Sequence, residues 1–389
     1  MDAGLRGGGW RGHGWPVVVL LVVAVVLVAT RDGAPSPRDD EVFLQTAYLV
    51  RTEGVSVIEG VTRAAGHQYG WHGAIADRLR SEGDIQTYAL IPLWARIGGF
   101  EVAPSPWGRE LYVTSGRLSI LSQLGFLLSM ALLYWALLPL GRGVALAAAV
   151  LYGLGHPFRH GPALFDPWVM PAVTASIGAF LRDRHLLAAA LAVGAVLVKP
   201  NYLFLLPAFL LAARVVPGPD EPDATVGWRP AGIHLGATLG VIGAYLVLGW
   251  LDVIHLGGYA EGVRSGYDPG VLAYSLVETV SYTYRAGTQQ LRTSWPLFPW
   301  TLLNAGALVL LGVRTWKRRL LPRTGVLLAG LFVIPIVMNV AVIASIEAYE
   351  DGGHYRWINV AVIGTVIALV LGYREAWRWW RARDATAAA

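Results

Sequence analysis

The feature that most constrains this chain is the recurrence of long apolar runs. The first, Trp15–Ala29, reads WPVVVLLVVAVVLVA and carries no charged side chain. After a long polar stretch come Leu118–Leu140, Val144–Gly155, Pro167–Leu181, Leu186–Val198, Tyr202–Val215, Gly232–Leu251, Trp295–Val313, Thr324–Ser345 and Trp357–Gly372. Hydrocarbon offers no water to a peptide group, so runs like these cross a bilayer as helices that satisfy their own N–H and C=O groups. The pattern predicts an all-α, polytopic membrane protein with about ten transmembrane helices, some shorter than the roughly 20 residues a hydrocarbon core asks for. Composition agrees: 55% of the 389 residues are hydrophobic and only 15% are charged, which excludes an ordinary soluble domain. Sixteen Trp and 16 Tyr suit the headgroup boundary. Cysteine is absent, which excludes disulfides and thiolate metal sites.

Orientation follows from the basic residues, which concentrate in cytoplasmic loops. With Arg6 and Arg11 placed in the cytoplasm, ten spans put Arg142, Arg182, Arg184, Arg214, Arg229, the cluster VRTWKRRLLPR and the tail YREAWRWWRAR on that same side. Most acidic residues fall on the other. The expectation is a multi-pass protein of the cell membrane with both termini cytoplasmic. The first run lacks a convincing cleavage site and reads as an uncleaved anchor. Residues 1–372 then form one integral membrane domain, and 373–389 form a basic cytoplasmic tail at the inner headgroups. Two extracytoplasmic loops are large, 30–115 and 252–294. In the first, Glu41–Thr52 predicts an amphipathic surface helix, with Phe43, Leu44, Ala47, Tyr48 and Val50 apolar, and Tyr88–Phe100 predicts another.

The polar residues carry the functional question. RDDEVF places Asp39, Asp40 and Glu41 just beyond the first run. One reading is a helix start, in which Asp39 or Asp40 caps a helix beginning near Glu41 and the charges favour its positive end. The other is a general base at the mouth of a membrane cavity, where low-dielectric walls raise a carboxylate's proton affinity. Further ionisable groups fall on the same expected face. GHPFRHGPALFDPW carries Arg159, His160 and Asp166, LVKPNYLF carries Lys199 between two spans, and EAYEDGGHYRW carries His354, Tyr355 and Arg356. Each alone reads as a solvated loop charge or a snorkelling side chain. An idle ammonium between two apolar spans is costly, which singles out Lys199.

Other chemistries find little purchase. No Walker A, HExxH or convincing GxSxG motif is present. His156 and His160 stand four apart, but Pro157 and Gly161 argue against the regular helix that would make them a metal pair. The spans hold few polar residues, chiefly His234, Asn304 and Asn339, where a transporter would want ionisable groups near mid-depth. No cofactor is expected, a divalent metal is left open, and nothing points to nucleic acid.

In order along the chain, DDEVFLQTAYLVRTEG, YALIPLWARIGGFE, RLSILSQLGFLLSMALLYWALLPLG, HPFRHGPALFDPWVMPAVTASIGAFLRDR, LAAALAVGAVLVKPNYLFLLP and HYRWINVAVIGTVIALVLG resemble the successive segments of the GT-C superfamily. These are polytopic glycosyltransferases that use polyprenyl-phosphate sugars; the likeness is to dolichyl-phosphate-mannose protein mannosyltransferases and bacterial aminoarabinose transferases. It spans most of residues 15–372. The family's Tyr-Pro-Pro is absent here, and His354-Tyr355-Arg356 stands where an Arg-Tyr order is commoner. The resemblance implies a GT-C-like fold and inverting sugar transfer at the extracytoplasmic face. Asp40 would be the catalytic base, with Asp39 or Glu41 as alternatives in register, and Asp166 the second outward acid. Lys199 and Arg356 would contact the carrier phosphate, with Tyr355, His354, Arg159 and His160 near the substrates. Implied partners are a polyprenyl-phosphate-linked sugar, an acceptor that is a lipid, glycan or protein, and the lipid bilayer. Two alternatives stand beside this expectation: a transporter or flippase of a lipid-linked glycan, and a non-catalytic relative.

Overall fold

Long apolar runs with small residues at helical spacing wind into helices that dock closely. A computed structural model describes residues 14–29, 39–69, 90–103, 112–155, 165–251, 276–277, 280, 298–318, 320–345 and 359–387. Among the described residues the chain is mostly helical. Its helices are α1 (Gly14–Ala29), α2 (Asp39–Thr52), α3 (Val57–Tyr69), α4 (90–97), α5 (Gly116–Leu137), α6 (Arg142–Gly155), α7 (Phe165–Leu181), α8 (His185–Val198), α9 (Leu205–Ala212), α10 (Trp228–Trp250), α11 (Phe298–Arg318), α12 (Pro322–Ser345) and α13 (Asn359–Ala387). Short 3₁₀ turns at Leu138–Leu140 and Pro200–Phe204 finish α5 and precede α9.

Three helical stretches are long and apolar enough to cross a membrane: Gly116–Leu140, Trp228–Trp250 and Val360–Arg383. The sequence reading of about ten spans is therefore matched at full spanning length only at these three among the described residues. The run Tyr202–Val215 breaks into a 3₁₀ turn and the eight-residue α9, because Pro200 stops α8 and starts a tighter helix. The last run does not stop at Gly372. Its helix continues unbroken through the basic tail to Ala387.

The helices pack in a ring. α5 contacts α6 and α7, α7 contacts α8, α8 contacts α10, α10 contacts α9, α9 contacts α12, α12 contacts α13, and α13 returns to α6 while also holding α11. Apolar solvent gives helices no hydrophobic reason to associate, so close van der Waals approach through small residues has to do it. Ala145, Ala148 and Ala149 of α6 and Ala188, Ala192 and Ala195 of α8 are buried on such faces. Gly125 of α5 sits against the Pro167 carbonyl of α7, and Gly178 of α7 sits against Trp135 and Ala136 of α5. The two glycines therefore hold α5 and α7 parallel along most of their length. Gly372 of α13 lies against the Ala307 carbonyl of α11. The α10 span is only 17% buried and the α13 span 72%, so α10 is peripheral and α13 central.

The two ends of the bundle differ. At one end, Phe43, Leu44 and Ala47 of α2, Val61 of α3, and Leu90, Ile91 and Trp94 of α4 form a small separate core with Leu118. A two-stranded antiparallel sheet, β1 (Phe100–Ala103) with β2 (Tyr112–Ser115), belongs to this layer. The all-α expectation missed that hairpin: FEVA and YVTS are β-prone tetrapeptides too short to stand out in sequence. Arg51 of α2 donates to the Ala95 and Arg96 carbonyls at 2.7 and 3.0 Å, which closes the last turn of α4. Gly98 follows in a left-handed conformation (φ 64°), with the Arg51 guanidinium where a Cβ would stand.

At the other end the connecting loops meet through charge. The Glu221 carboxylate accepts the N–H of Gly218 at 2.7 Å, of Arg323 at 3.1 Å and of Thr324, so it caps α12. Arg374 donates to the Leu140 carbonyl at 3.0 Å. Arg378 pairs with Asp220, and the buried Glu375 meets Arg374 at 3.1 Å and Arg378 at 3.2 Å. The loops that the basic residues assign to one side thus converge at one end.

If close glycine contacts hold the bundle, Gly125→Ala and Gly372→Ala each place a methyl against a backbone carbonyl and lower stability by about 1–3 kcal/mol. Gly194→Ala, where nothing lies within 4 Å, is neutral or stabilising by up to about 1 kcal/mol. Thermal melts of the detergent-solubilised variants check the contrast.

Candidate functional site

A carboxylate and an ammonium are buried together beneath the loop layer. Asp166 lies in the first turn of α7, where the helix's positive end favours an anion and the following Pro167 needs no hydrogen-bond partner for a missing N–H. Lys199 ends α8. Its own N–H closes the helix on Ala195, and its backbone then turns extended (φ −144°, ψ 107°) into Pro200. The Lys199 ammonium donates to both oxygens of Asp166, at 2.8 and 2.6 Å. Tyr202 donates its hydroxyl to Asp166 Oδ1 at 2.5 Å, and that tyrosine hydroxyl oxygen lies 3.2 Å from Met170 Sδ. Asp166 is fully buried, Lys199 is 7% exposed and Tyr202 1%.

Such a pair survives in apolar surroundings only if its geometry repays the desolvation of both charges and the remaining polar positions are satisfied. Three bonds from two donors meet that condition for Asp166. The arrangement also decides what the residues can do. A carboxylate paired with an ammonium and bonded again by a phenol is held in one place. It is a good anchor, and it fixes where the Lys199 charge sits. Lys199 has three N–H donors and spends at most two on Asp166, which leaves one for another acceptor.

The layer above is tied to this pair. Trp168, two residues after Asp166, and Val198, one before Lys199, pack against the core formed by α2, α3 and α4. Trp168 donates its Nε1 to Ser122 at 3.0 Å, and its ring lies 6.1 Å from that of Trp94. The site thus has α7, α8 and the 3₁₀ turn as its floor, with α2 and α4 in the layer above.

The structure therefore brings together two of the residues that the sequence singled out, Asp166 and Lys199. The acidic triplet lies in the first turn of α2, which starts at Asp39 and not near Glu41, so Asp39 and Asp40 stand within the helix rather than ahead of it. The side chains of Asp39, Asp40 and Glu41 lie outside the described residues, as do Arg159, His160, His354, Tyr355 and Arg356. Tyr202 is the residue that sequence reading missed. Its signal was present: LVKPNYLF puts a proline right after the lysine, which starts a 3₁₀ turn, and the Tyr202 N–H closes that turn on the Lys199 carbonyl at 3.1 Å. Lys199 and Tyr202 are three apart.

Two other features bear on function. A predominantly apolar cavity of about 780 Å³ lies between α11, α12, α13 and the stretch containing Leu276, Val277 and Val280, with Leu308, Phe332 and Gly364 on its walls. At the opposite end from Asp166, the turn after α7 holds a polar chain. Asp183, in a left-handed conformation (φ 60°), bonds His185 Nε2 at 2.7 Å, and His185 Nδ1 is 3.0 Å from His234 Nε2. Burial pushes the Asp183 carboxyl up, but the bonds from Thr225 and His185 outweigh it and hold the group below its ordinary value. No group of three or more His, Asp or Glu arranged for a metal is found among the described residues.

Breaking the buried pair from one side leaves a charge uncompensated. Lys199→Met and Asp166→Leu should each cost about 3–5 kcal/mol, and the double variant should recover most of that loss. Tyr202→Phe should cost about 1.5–3 kcal/mol, the range for a bond to a charged group. A double-mutant cycle by denaturant unfolding in detergent measures both.

Comparison with protein-family models, with curated proteins and with solved structures finds no match.

Proposed function

We propose that this chain is a GT-C-type membrane glycosyltransferase. It would move a sugar from a polyprenyl-phosphate donor to an acceptor hydroxyl at the extracytoplasmic face, with inversion at the anomeric carbon. The observation that carries this reading is the burial of Asp166, Lys199 and Tyr202 at the head of an apolar bundle, packed beneath the layer that contains the start of α2. Charge in that position is costly, and an enzyme that must meet a lipid-borne phosphate at the membrane boundary has a use for it.

In this reading Asp40, with Asp39 or Glu41 as alternatives, takes the proton from the acceptor O–H as that oxygen attacks the anomeric carbon. The bond from that carbon to the phosphate oxygen breaks, and polyprenyl phosphate leaves from the opposite face. Lys199, held in place by Asp166, offers its remaining N–H to the departing phosphate, and Arg356 adds a second cation. Preorganised donors of this kind act most strongly where water is scarce. His354, Tyr355, Arg159 and His160 would surround the headgroup and acceptor. The apolar cavity between α11, α12 and α13 suits the hydrocarbon part of the donor, since its walls present almost no polar surface. The proposed topology has about ten spans, with the basic end of the bundle and both termini cytoplasmic, in keeping with the positive-inside rule.

One observation favours a second reading, a non-catalytic relative that binds a lipid-linked sugar without turning it over. The Asp166 carboxylate is paired with Lys199 and bonded by Tyr202, as in a purely architectural pair.

The experiment is a transfer assay on purified protein with a panel of labelled polyprenyl-phosphate sugars. Turnover that falls by about 10²–10⁴-fold in Asp40→Asn, with an unchanged melting temperature, supports the transferase reading. Turnover unchanged in Asp40→Asn, Asp39→Asn and Glu41→Gln removes the acidic segment from the mechanism. Binding of the labelled lipid with no turnover on any donor supports the second reading.

A further inference from the structure

Most arginines at the basic end of the bundle are engaged. Arg182 donates to the carbonyls of Trp135, Ala136 and Gly178 and stacks on the Trp135 ring. Arg323 lies over Phe180 and 3.8 Å from Asp183, while Arg374 and Arg378 meet Glu375. Arg184 and Arg229 differ. Both are exposed, and neither side chain has a hydrogen-bond or ion-pair partner among the described residues. They line the same cavity of about 400 Å³, between the start of α8 and the start of α10.

Among the described residues Asp183 is the carboxylate lining the cavity, and it pairs with neither arginine. Asp183 turns Oδ1 to His185 and Oδ2 to the backbone N–H of Thr225, at 2.9 Å, and to its hydroxyl. Two helices also begin here, and neither has a side-chain cap on its first N–H groups. Their positive ends add to the two guanidinium charges. Such a cavity suits an anion.

Its surroundings say what the anion is attached to. Leu186, 73% exposed, and Leu187 line the cavity with Ile233, and Trp228, 78% exposed, stands next to Arg229 with Arg214 stacked on its ring at 3.6 Å. Beyond them the exposed side chains of α10 stay apolar: Leu235, Leu239, Ile242 and Leu246. A soluble phosphate has no use for such a strip, whereas an acyl chain does. Exposed tryptophan beside arginine is also the usual arrangement at a headgroup boundary.

We propose that the cavity between the starts of α8 and α10 binds the headgroup of an anionic phospholipid, with Arg184 and Arg229 on its phosphate and the lipid chains along the exposed face of α10. The inference goes beyond sugar transfer. It rests only on the membrane setting, and its readout is lipid binding, so it stands or falls separately from the transferase assay. Basic pockets between helices at a membrane surface are suited to anionic headgroups, each cation strengthening the attraction.

The test is native mass spectrometry and thermal melting of the detergent-solubilised full chain with added phosphatidylglycerol, phosphatidylcholine or inorganic phosphate. Phosphatidylglycerol should bind and raise the melting temperature, and phosphatidylcholine and inorganic phosphate should not. The double variant Arg184→Gln/Arg229→Gln should bind phosphatidylglycerol about thirtyfold more weakly, the loss expected for two cations at an anionic surface. Leu186→Glu, a change at an exposed position that puts a carboxylate at the cavity, should also weaken it. Arg381→Gln/Arg383→Gln, in the tail, should keep wild-type binding. Equal binding of phosphatidylglycerol by wild type and both cavity variants overturns the site. An equal response to phosphatidylcholine overturns the charge argument, and an equal response to inorganic phosphate overturns the lipid.

Discussion

The contact between Asp166 and Lys199 ties the start of one helix to the end of the next, at the head of an apolar bundle. Water is scarce there, so the two charges depend on each other far more than a surface pair would. Their pairing brings α7 and α8 together at the end where the loop layer must dock, and Tyr202 draws the following 3₁₀ turn into the same knot. Trp168 and Val198 flank the pair and carry the small core above it. Helix order, loop layer and candidate site thus share one polar fastening, and the remainder of the bundle is held by the close approach of glycine and alanine faces.

Much of the fold was legible in the sequence because hydrophobic runs leave a peptide chain few choices in hydrocarbon. Leu118–Leu140, Pro167–Leu181 and Gly232–Leu251 each coincide with a helix whose ends fall within a few residues of the run. The departures have local causes. Pro200 split the run after Lys199, and its effect is a change of helix type, which a hydropathy pattern does not register. The last helix ran on through YREAWRWWRAR because its residues are good helix formers and Glu375 finds cations around it, whereas hydropathy simply falls away there. The β1–β2 hairpin was hidden by its brevity.

The site was legible in part. Lys199 stood out because an ammonium between apolar runs needs a reason, and Asp166 because it joins other ionisable groups in GHPFRHGPALFDPW. That they bond each other is a fact of the fold, since 33 residues separate them. Tyr202 went unread because a tyrosine at the head of an apolar run looks like a boundary anchor. The cavity at the starts of α8 and α10 was out of reach for a similar reason. Basic residues in short loops read simply as topology markers, and only coordinates distinguish Arg182, spent on carbonyls, from Arg184, which is not.

The final helix has 29 residues, about 43 Å of continuous rod, well over the thickness of a hydrocarbon core. Its first half walls the large apolar cavity through Gly364, Thr365 and Ala368, and its last half carries Trp377, Trp379 and Trp380 among arginines. With no joint between the two, the cavity wall and the exposed indoles belong to one continuous helix, so neither can be repositioned without the other.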